Sequence, residues 1–220
     1  MAGFFLRPVA PFRLDLTVWA LRRVPINLID RWDGQTYRRV VPVRGRPVEV
    51  AVEQVAGGDA PRLRVCTSER RIGARDREVL VPLLERVLGL RADLREFHRR
   101  VGEHKDFAPL VAPFIGLKPP RFPSVFEAVL NGIACQQLSL IVGIHLLNRL
   151  SATFGLAAGD QHAFPRPEDL AGQRRARIRQ LGFSGRKVET IRWLARAVVR
   201  GELNLEELAT KEDAVAFKAL

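Results

Sequence analysis

The stretch FIGLKPPRFPSVFEAVLNGIACQQLS (114–139) joins two differently patterned halves of the chain. Its first residues are rich in proline and indicate a passage between two domains. Ser124, followed three residues later by Glu127, is a capping box, which predicts that a helix begins here. Two adjacent amides, Gln136 and Gln137, interrupt the apolar run that follows. Because a buried amide needs hydrogen-bond partners, this pair requires an explanation.

Upstream of this stretch, the sequence alternates as β-strands do. The predicted strands are TYRRVVPV (36–43), PVEVAVEQV (47–55) and RLRVCTS (62–68), with Val48, Val50 and Val52 on one face. From Arg75 the spacing becomes helical, although Pro82 predicts a break or kink in the helix over 77–90.

Downstream, the spacing is helical throughout. Ser139 can cap a second helix, and capping and stop signals predict further helices over 140–154, 167–181, 186–200 and 211–220, with a loop over 156–166. The prediction is therefore an α+β chain, with a strand-rich domain over 1–113 and a helical domain over 114–220.

The charge of the chain is unevenly distributed. The formal net charge is +12, and residues 174–200 contain nine arginines and lysines but a single acid, Glu189. Such a segment suits a polyanion. The alternative is an arginine-rich composition in which arginine simply replaces lysine on solvated faces.

Several classes of protein are disfavoured. With 47% apolar residues the chain can form a core. Two distant cysteines provide neither a zinc site nor an iron–sulfur cluster, so no metal and no cofactor is expected. No apolar stretch is long enough to span a membrane and no signal peptide is recognised, so we expect a cytoplasmic protein with no membrane partner.

Two strings, the stretch over 114–139 and LGFSGRKVETIRWLARAVVRGEL (181–203), resemble the 3-methyladenine DNA glycosylase II family of the helix-hairpin-helix DNA glycosylase superfamily. The resemblance covers nearly the whole chain and is strongest from Phe114 onward. It implies an N-terminal antiparallel sheet with helices, resembling one repeat of TATA-binding protein, followed by an all-α glycosylase domain. It also implies a base excision repair enzyme that flips alkylated purines out of duplex DNA, hydrolyses the N-glycosidic bond and acts as a monomer when intact.

The resemblance gives the glutamines roles. It places Gln136 beside the base pocket, whereas Gln137 fills the space that the flipped nucleotide leaves, with Ser139 capping the following helix. The alternative is that the amides only satisfy backbone groups at the helix junction. Arg186 and Lys187 lie at a helix start, where the dipole disfavours cations; a bound phosphate would offset that penalty, and plain solvation is the alternative.

The N-terminal half also has candidates for the base pocket. In this family the N-terminal domain contributes an aromatic side chain to the pocket, and both Phe12 and Trp19 remain open for that role.

The resemblance assigns no catalytic residue within the chain. In the family, a string like AVAFKAL (214–220) precedes a glycine-rich hairpin and then a catalytic aspartate, so the expectation is a domain cut at Leu220 and an inactive 220-residue chain. Asp160, Asp169 and Asp213 do not match the position of that aspartate. The alternatives are a non-catalytic DNA-binding or regulatory module on the same scaffold and, from charge alone, an RNA-binding protein.

Overall fold

The computed structural model describes residues 3–69, 71–208 and 210–212, and it has the predicted α+β architecture. The chain divides into two compact units, Met1–Arg121 and Phe122–Leu220. The predicted helix over 211–220 lies almost entirely outside the described residues.

The first unit is built on an antiparallel sheet of five strands in the order β1-β5-β4-β3-β2. The strands are β1 (Gly3–Leu6), β2 (Arg31–Trp32), β3 (Thr36–Val43), β4 (Arg46–Ala56) and β5 (Arg62–Thr67). Val48, Val50 and Val52 are buried on one face of β4, as their alternation predicts. All three predicted strands are confirmed to within one residue at each end.

Helices cover one face of this sheet and extend the unit. They are α1 (Leu14–Arg22), α2 (Ala74–Val87), α3 (Arg95–Gly102) and α4 (Ala108–Val111), followed by a short 3₁₀ helix (Ala112–Phe114). The predicted break at Pro82 is wrong, because α2 continues through it. Pro82 is exposed, so water can solvate the carbonyl it frees, while Leu80 and Leu84 hold the helix in the core.

Residues 114–121 belong structurally to the first unit, although the sequence-based division places them in the helical domain. The Arg13 N–H donates to the Gly116 carbonyl at 2.7 Å. The backbone N–H of Lys118 donates to Thr17 Oγ1 at 3.1 Å, and its ammonium donates to the Ala92 carbonyl at 2.6 Å. These bonds attach the proline-rich passage to the strand-rich unit, which a composition change alone does not indicate.

The second unit is mainly helical. Its elements are α5 (Val125–Cys135), α6 (Leu140–Phe154), a small hairpin of β6 (Ala157–Ala158) and β7 (Gln161–His162), α7 (Pro167–Ala171), α8 (Arg175–Arg179), α9 (Gly185–Val199) and α10 (Leu205–Leu208). The single helix predicted over 167–181 is instead α7 and α8, because the chain leaves the helix at Gly172. The hairpin replaces the loop predicted over 156–166.

Candidate nucleic-acid interface

The two glutamines lie in a tight bend between α5 and α6. Gln136 is the C-cap of α5 in an extended conformation, and its N–H donates to the Gly132 carbonyl at 3.0 Å. Gln137 has a φ of +56°, in the left-handed region that side chains rarely adopt. Ser139 then caps α6, accepting a 3.4 Å hydrogen bond from the Val142 N–H. The cap predicted from sequence for the start of α6 is therefore present.

Both glutamine side chains are exposed, and neither amide makes a hydrogen bond to the described part of the chain. The two amides are therefore not buried, and they need no partner within the protein. No contact among the described residues supports the alternative in which these amides pair with backbone groups at the junction. Both amides are available to a ligand.

Exposed apolar side chains surround this bend. Leu138, Leu140, Ile141 and Val142 are each 39–54% exposed at or beside the start of α6. An exposed apolar patch of this kind is typical of a binding surface. Its apolar side chains suit the faces of stacked bases, and the adjacent amides suit their edges.

Close packing of two helices fixes the angle of the bend. A Cβ added at Gly143 would lie 2.6 Å from Cys135 Sγ and 2.9 Å from Cys135 Cα. Glycine therefore allows the first turn of α6 to approach the end of α5. Gly143 was not predicted from sequence as a site of close approach, although an isolated glycine within a helix is a signal for it.

Lys187 lies against this bend. Its ammonium donates to the carbonyls of Ala134 at 3.0 Å and Gln136 at 2.8 Å. Burial lowers the pKa of Lys187 from its ordinary value, while nearby Cys135 acts in the opposite direction. The structure thus brings Lys187 together with the glutamines, through backbone carbonyls that a phosphate would have to displace.

Arg186 is exposed beside Lys187 in the first turn of α9. It makes no ion pair within the described residues. Of the site residues predicted from sequence, Gln136, Gln137, Ser139 and Lys187 thus form one contact region, and Arg186 extends it along the start of α9.

Other cations of the basic segment have internal roles. Arg192 Nε donates to the Gln173 carbonyl at 3.1 Å and Arg196 Nε to the Ala171 carbonyl at 3.0 Å. The guanidinium of Arg175 pairs with Glu189 at 3.0 Å. Some arginines of the segment 174–200 therefore bond to carbonyls at or just after the end of α7. The net charge of the segment alone does not indicate these contacts.

The two N-terminal aromatic candidates differ in exposure. Phe12 is 2% exposed and belongs to the core of the first unit, whereas Trp19 is 62% exposed. The Trp19 ring stacks on Phe114 with 6.0 Å between ring centroids. Of the two, only Trp19 presents a ring surface to a ligand.

Within the described residues, neither Asp160 nor Asp169 is placed as a catalytic candidate. Asp169 accepts hydrogen bonds from the backbone and guanidinium of Arg166, and Asp160 is exposed within the turn between β6 and β7. Asp213 lies outside the described residues. In the described part of the chain, no cluster of histidine, cysteine or acidic side chains could hold a metal ion, and no helix is long and apolar enough to cross a membrane.

Known proteins resemble the chain in sequence and in fold. A Bacillus subtilis (strain 168) protein named "Putative DNA-3-methyladenine glycosylase YfjP" is 27% identical over 214 residues, covering 96% of this chain and 71% of the relative. The 3-methyladenine DNA glycosylase of Archaeoglobus fulgidus superposes with a TM-score of 0.82 at 24% identity, covering 99% of this chain and 73% of that one.

A more distant neighbour has the same fold. The apo form of the Clostridium acetobutylicum 8-oxoguanine glycosylase/lyase gives a TM-score of 0.71 at 16% identity, covering 100% of this chain and 71% of that one. The family model described as HhH-GPD superfamily base excision DNA repair protein matches residues 130–218, which include the bend and α9. In sequence the chain is thus similar to the HhH-GPD superfamily over residues 130–218 and to one relative named as a DNA glycosylase, and in fold it is similar to solved DNA glycosylases.

Proposed function

We propose that the protein is a DNA glycosylase that hydrolyses the N-glycosidic bond of alkylated purines, of the 3-methyladenine type, in duplex DNA. The B. subtilis relative and the A. fulgidus neighbour both carry 3-methyladenine glycosylase in their names. The observation that carries the proposal is Gln137, an exposed amide in a left-handed conformation at the apex of the α5–α6 bend. Uncommon backbone conformations of this kind cluster at functional sites.

The bend supplies what base flipping needs from a protein. An enzyme that acts on a base must extrude it, and the vacated position in the stack then needs a substitute. Gln137 can enter this gap, where its amide offers both donors and an acceptor to the orphaned base on the opposite strand. Gln136 lies one residue away and borders the space of the extruded base. Leu138 and Ile141 provide apolar surface for the neighbouring base pairs.

The phosphate backbone would be held by the start of α9. Arg186 is exposed in its first turn, close in sequence to Lys187, which touches the bend. Each phosphate contact contributes about −0.9 to the slope of log affinity against log salt for B-DNA. The proposed partner is therefore duplex DNA that contains a damaged base. We propose that a monomer binds it and that the protein acts in the cytoplasm.

Base release from damaged DNA tests this function. The full-length gene product is incubated with methylated duplex DNA, and free 3-methyladenine is separated and quantified; a duplex containing 8-oxoguanine serves as the comparison. We expect release of 3-methyladenine above that of 8-oxoguanine, and a lower rate for Gln137→Ala.

Three results would contradict the proposal. Preferential release of 8-oxoguanine would contradict the substrate class. Tight binding to damaged duplexes without release of any base would favour a non-catalytic DNA-binding module. Tighter binding to single-stranded RNA than to duplex DNA of the same length would favour an RNA-binding protein.

A further inference from the structure

Lys187 reaches across the second unit to the end of another helix. It lies in the first turn of α9, yet its ammonium donates to two carbonyls of residues 51 and 53 positions earlier in the chain, Gln136 at 2.8 Å and Ala134 at 3.0 Å. An ammonium has three hydrogens, so two of its three donors are used by the α5–α6 bend.

This contact explains how a cation is tolerated at the start of a helix. The positive end of the α9 dipole disfavours Lys187, whereas the carbonyls at the end of α5 carry the opposite partial charge. Those carbonyls have lost their helical partners because α5 ends at Cys135. One side chain thus relieves both unfavourable ends, and no anion is needed for that purpose.

The Gln136 carbonyl belongs to the peptide group that joins Gln136 to Gln137. Because a peptide group is planar, fixing the direction of this carbonyl also fixes the Gln137 N–H. The φ of Gln137 is the rotation about the N–Cα bond next to this peptide plane. Its value of +56° is unfavourable for a residue with a side chain. The hydrogen bond from Lys187 therefore acts on the peptide plane that orients Gln137.

We propose that Lys187 is a positioning residue, which orients Gln137 toward DNA by holding the Gln136 carbonyl, and that it is not a phosphate ligand. The proposal rests on the function proposed above, in that Gln137 is taken to contact the vacated position of the stack. It assigns different roles to two adjacent cations: Arg186 meets the phosphate backbone, and Lys187 fixes the bend.

A double-mutant cycle tests this role. Wild type, Lys187→Met, Gln137→Ala and the double variant are titrated with a duplex that contains a tetrahydrofuran abasic-site analogue. We expect each single variant to lose about 5- to 30-fold in affinity, the factor that corresponds to 1–2 kcal/mol. The double variant should lose no more than the weaker-binding single variant, because Lys187 acts through Gln137. Additive losses would overturn the proposal.

Salt dependence separates positioning from phosphate contact. Lys187→Met should keep the wild-type slope of log affinity against log salt, while Arg186→Met, the matched control, should flatten it by about 0.9. Lys187→Arg should recover most of the affinity, because a guanidinium can also donate to two carbonyls. If Lys187→Met flattens the slope as much as Arg186→Met does, Lys187 is a phosphate ligand and the proposal fails.

Amide hydrogen exchange in the free protein separates failure of this proposal from failure of the proposed function. Lys187→Met should accelerate exchange of the Leu138 N–H, which donates to the Cys135 carbonyl within the bend. Unchanged exchange would overturn the positioning role. Faster exchange in Lys187→Met, together with wild-type DNA binding by Gln137→Ala, would contradict the function of Gln137 and leave the structural action of Lys187 intact.

Discussion

In the described part of the chain, two lysines donate their ammonium groups to backbone carbonyls, one in each unit. Lys118 is 1% exposed and bonds to the Ala92 carbonyl, anchoring the proline-rich passage to the first unit. Lys187 is only half-buried and bonds to the carbonyls of Ala134 and Gln136 beside an exposed bend. Burial lowers the pKa of both.

The surroundings give the same chemical contact two different consequences. Around Lys118, loss of a side chain that is 1% exposed leaves a cavity, so the cost falls on folding. Around Lys187, water can replace the donor at the exposed hydrogen bond to the Gln136 carbonyl, so folding is affected less and the orientation of the bend is affected most. A buried lysine thus stabilises a domain, and a half-buried one can set the geometry of a surface.

The largest effect on stability is expected at Lys118. Lys118→Ala should lower the free energy of unfolding by about 3 kcal/mol, within the range for truncating a large buried side chain. Urea denaturation measures this loss, with exposed Lys105→Ala as the matched control, expected within about 0.5 kcal/mol of wild type. A loss at Lys118 no larger than the control's would show that the two lysines do not differ as described.

The next effect concerns the approach of the two helices at the bend. Gly143→Ala should destabilise the protein by about 1–3 kcal/mol, because the added Cβ meets Cys135 backbone that cannot easily move. Gly132→Ala is the control: its Cβ would meet nothing within 4 Å, and alanine should stabilise α5 by up to about 1 kcal/mol. Thermal unfolding of both variants checks the opposite signs; equal effects would contradict the close approach.

A smaller effect is expected from the backbone of Gln137. Gln137→Gly should be more stable than Gln137→Ala by up to about 1 kcal/mol, because glycine adopts a positive φ without a steric penalty. Both variants lack the amide, so both should bind an abasic-site duplex more weakly than wild type. Urea denaturation provides the stability comparison, and greater stability of the alanine variant would argue against a left-handed Gln137.

The smallest effect is expected from a single exposed charge. Arg186→Met should leave stability unchanged and flatten the salt slope of duplex binding by about 0.9. Arg200→Met removes the same charge at the other end of α9, where Arg200 pairs with Glu202, and should change the slope less. Equal slopes for the two variants would mean that α9 does not present its start to DNA.

Three of the five strands, β3, β4 and β5, could be predicted from sequence because alternation is a local signal, whereas β1 and β2 were not predicted. In β4 and β5 buried and less buried residues alternate, so the faces of these strands follow from neighbouring residues alone, whereas β3 has buried residues on both faces. Pro82 is also a local signal, and it predicted a break in α2 that the structure does not have. Packing of Leu80 and Leu84 in the core outweighs the local effect of the proline on the helix.

The N-caps of α5 and α6 could be predicted, but the contacts that orient the bend between these helices could not. Ser124 and Ser139 are local signals, and both cap helices as expected. Lys187 and Gln136 are 51 residues apart, so nothing local indicates that one satisfies the carbonyl of the other. The unfavourable charge at the start of α9 is evident from sequence, which left a bound phosphate and plain solvation open, whereas the Lys187 ammonium donates to the carbonyls of Ala134 and Gln136.

The most direct test of the central claim, that Gln137 occupies the position vacated by a flipped base, is the affinity of wild type and Gln137→Ala for two duplexes. One contains a tetrahydrofuran abasic-site analogue, and the other is the intact duplex of the same sequence. The account predicts that Gln137→Ala loses about 1–2 kcal/mol on the abasic duplex, the scale of one good hydrogen-bonding contact, and nothing measurable on the intact one. An equal loss on both duplexes, or no loss on either, would contradict it.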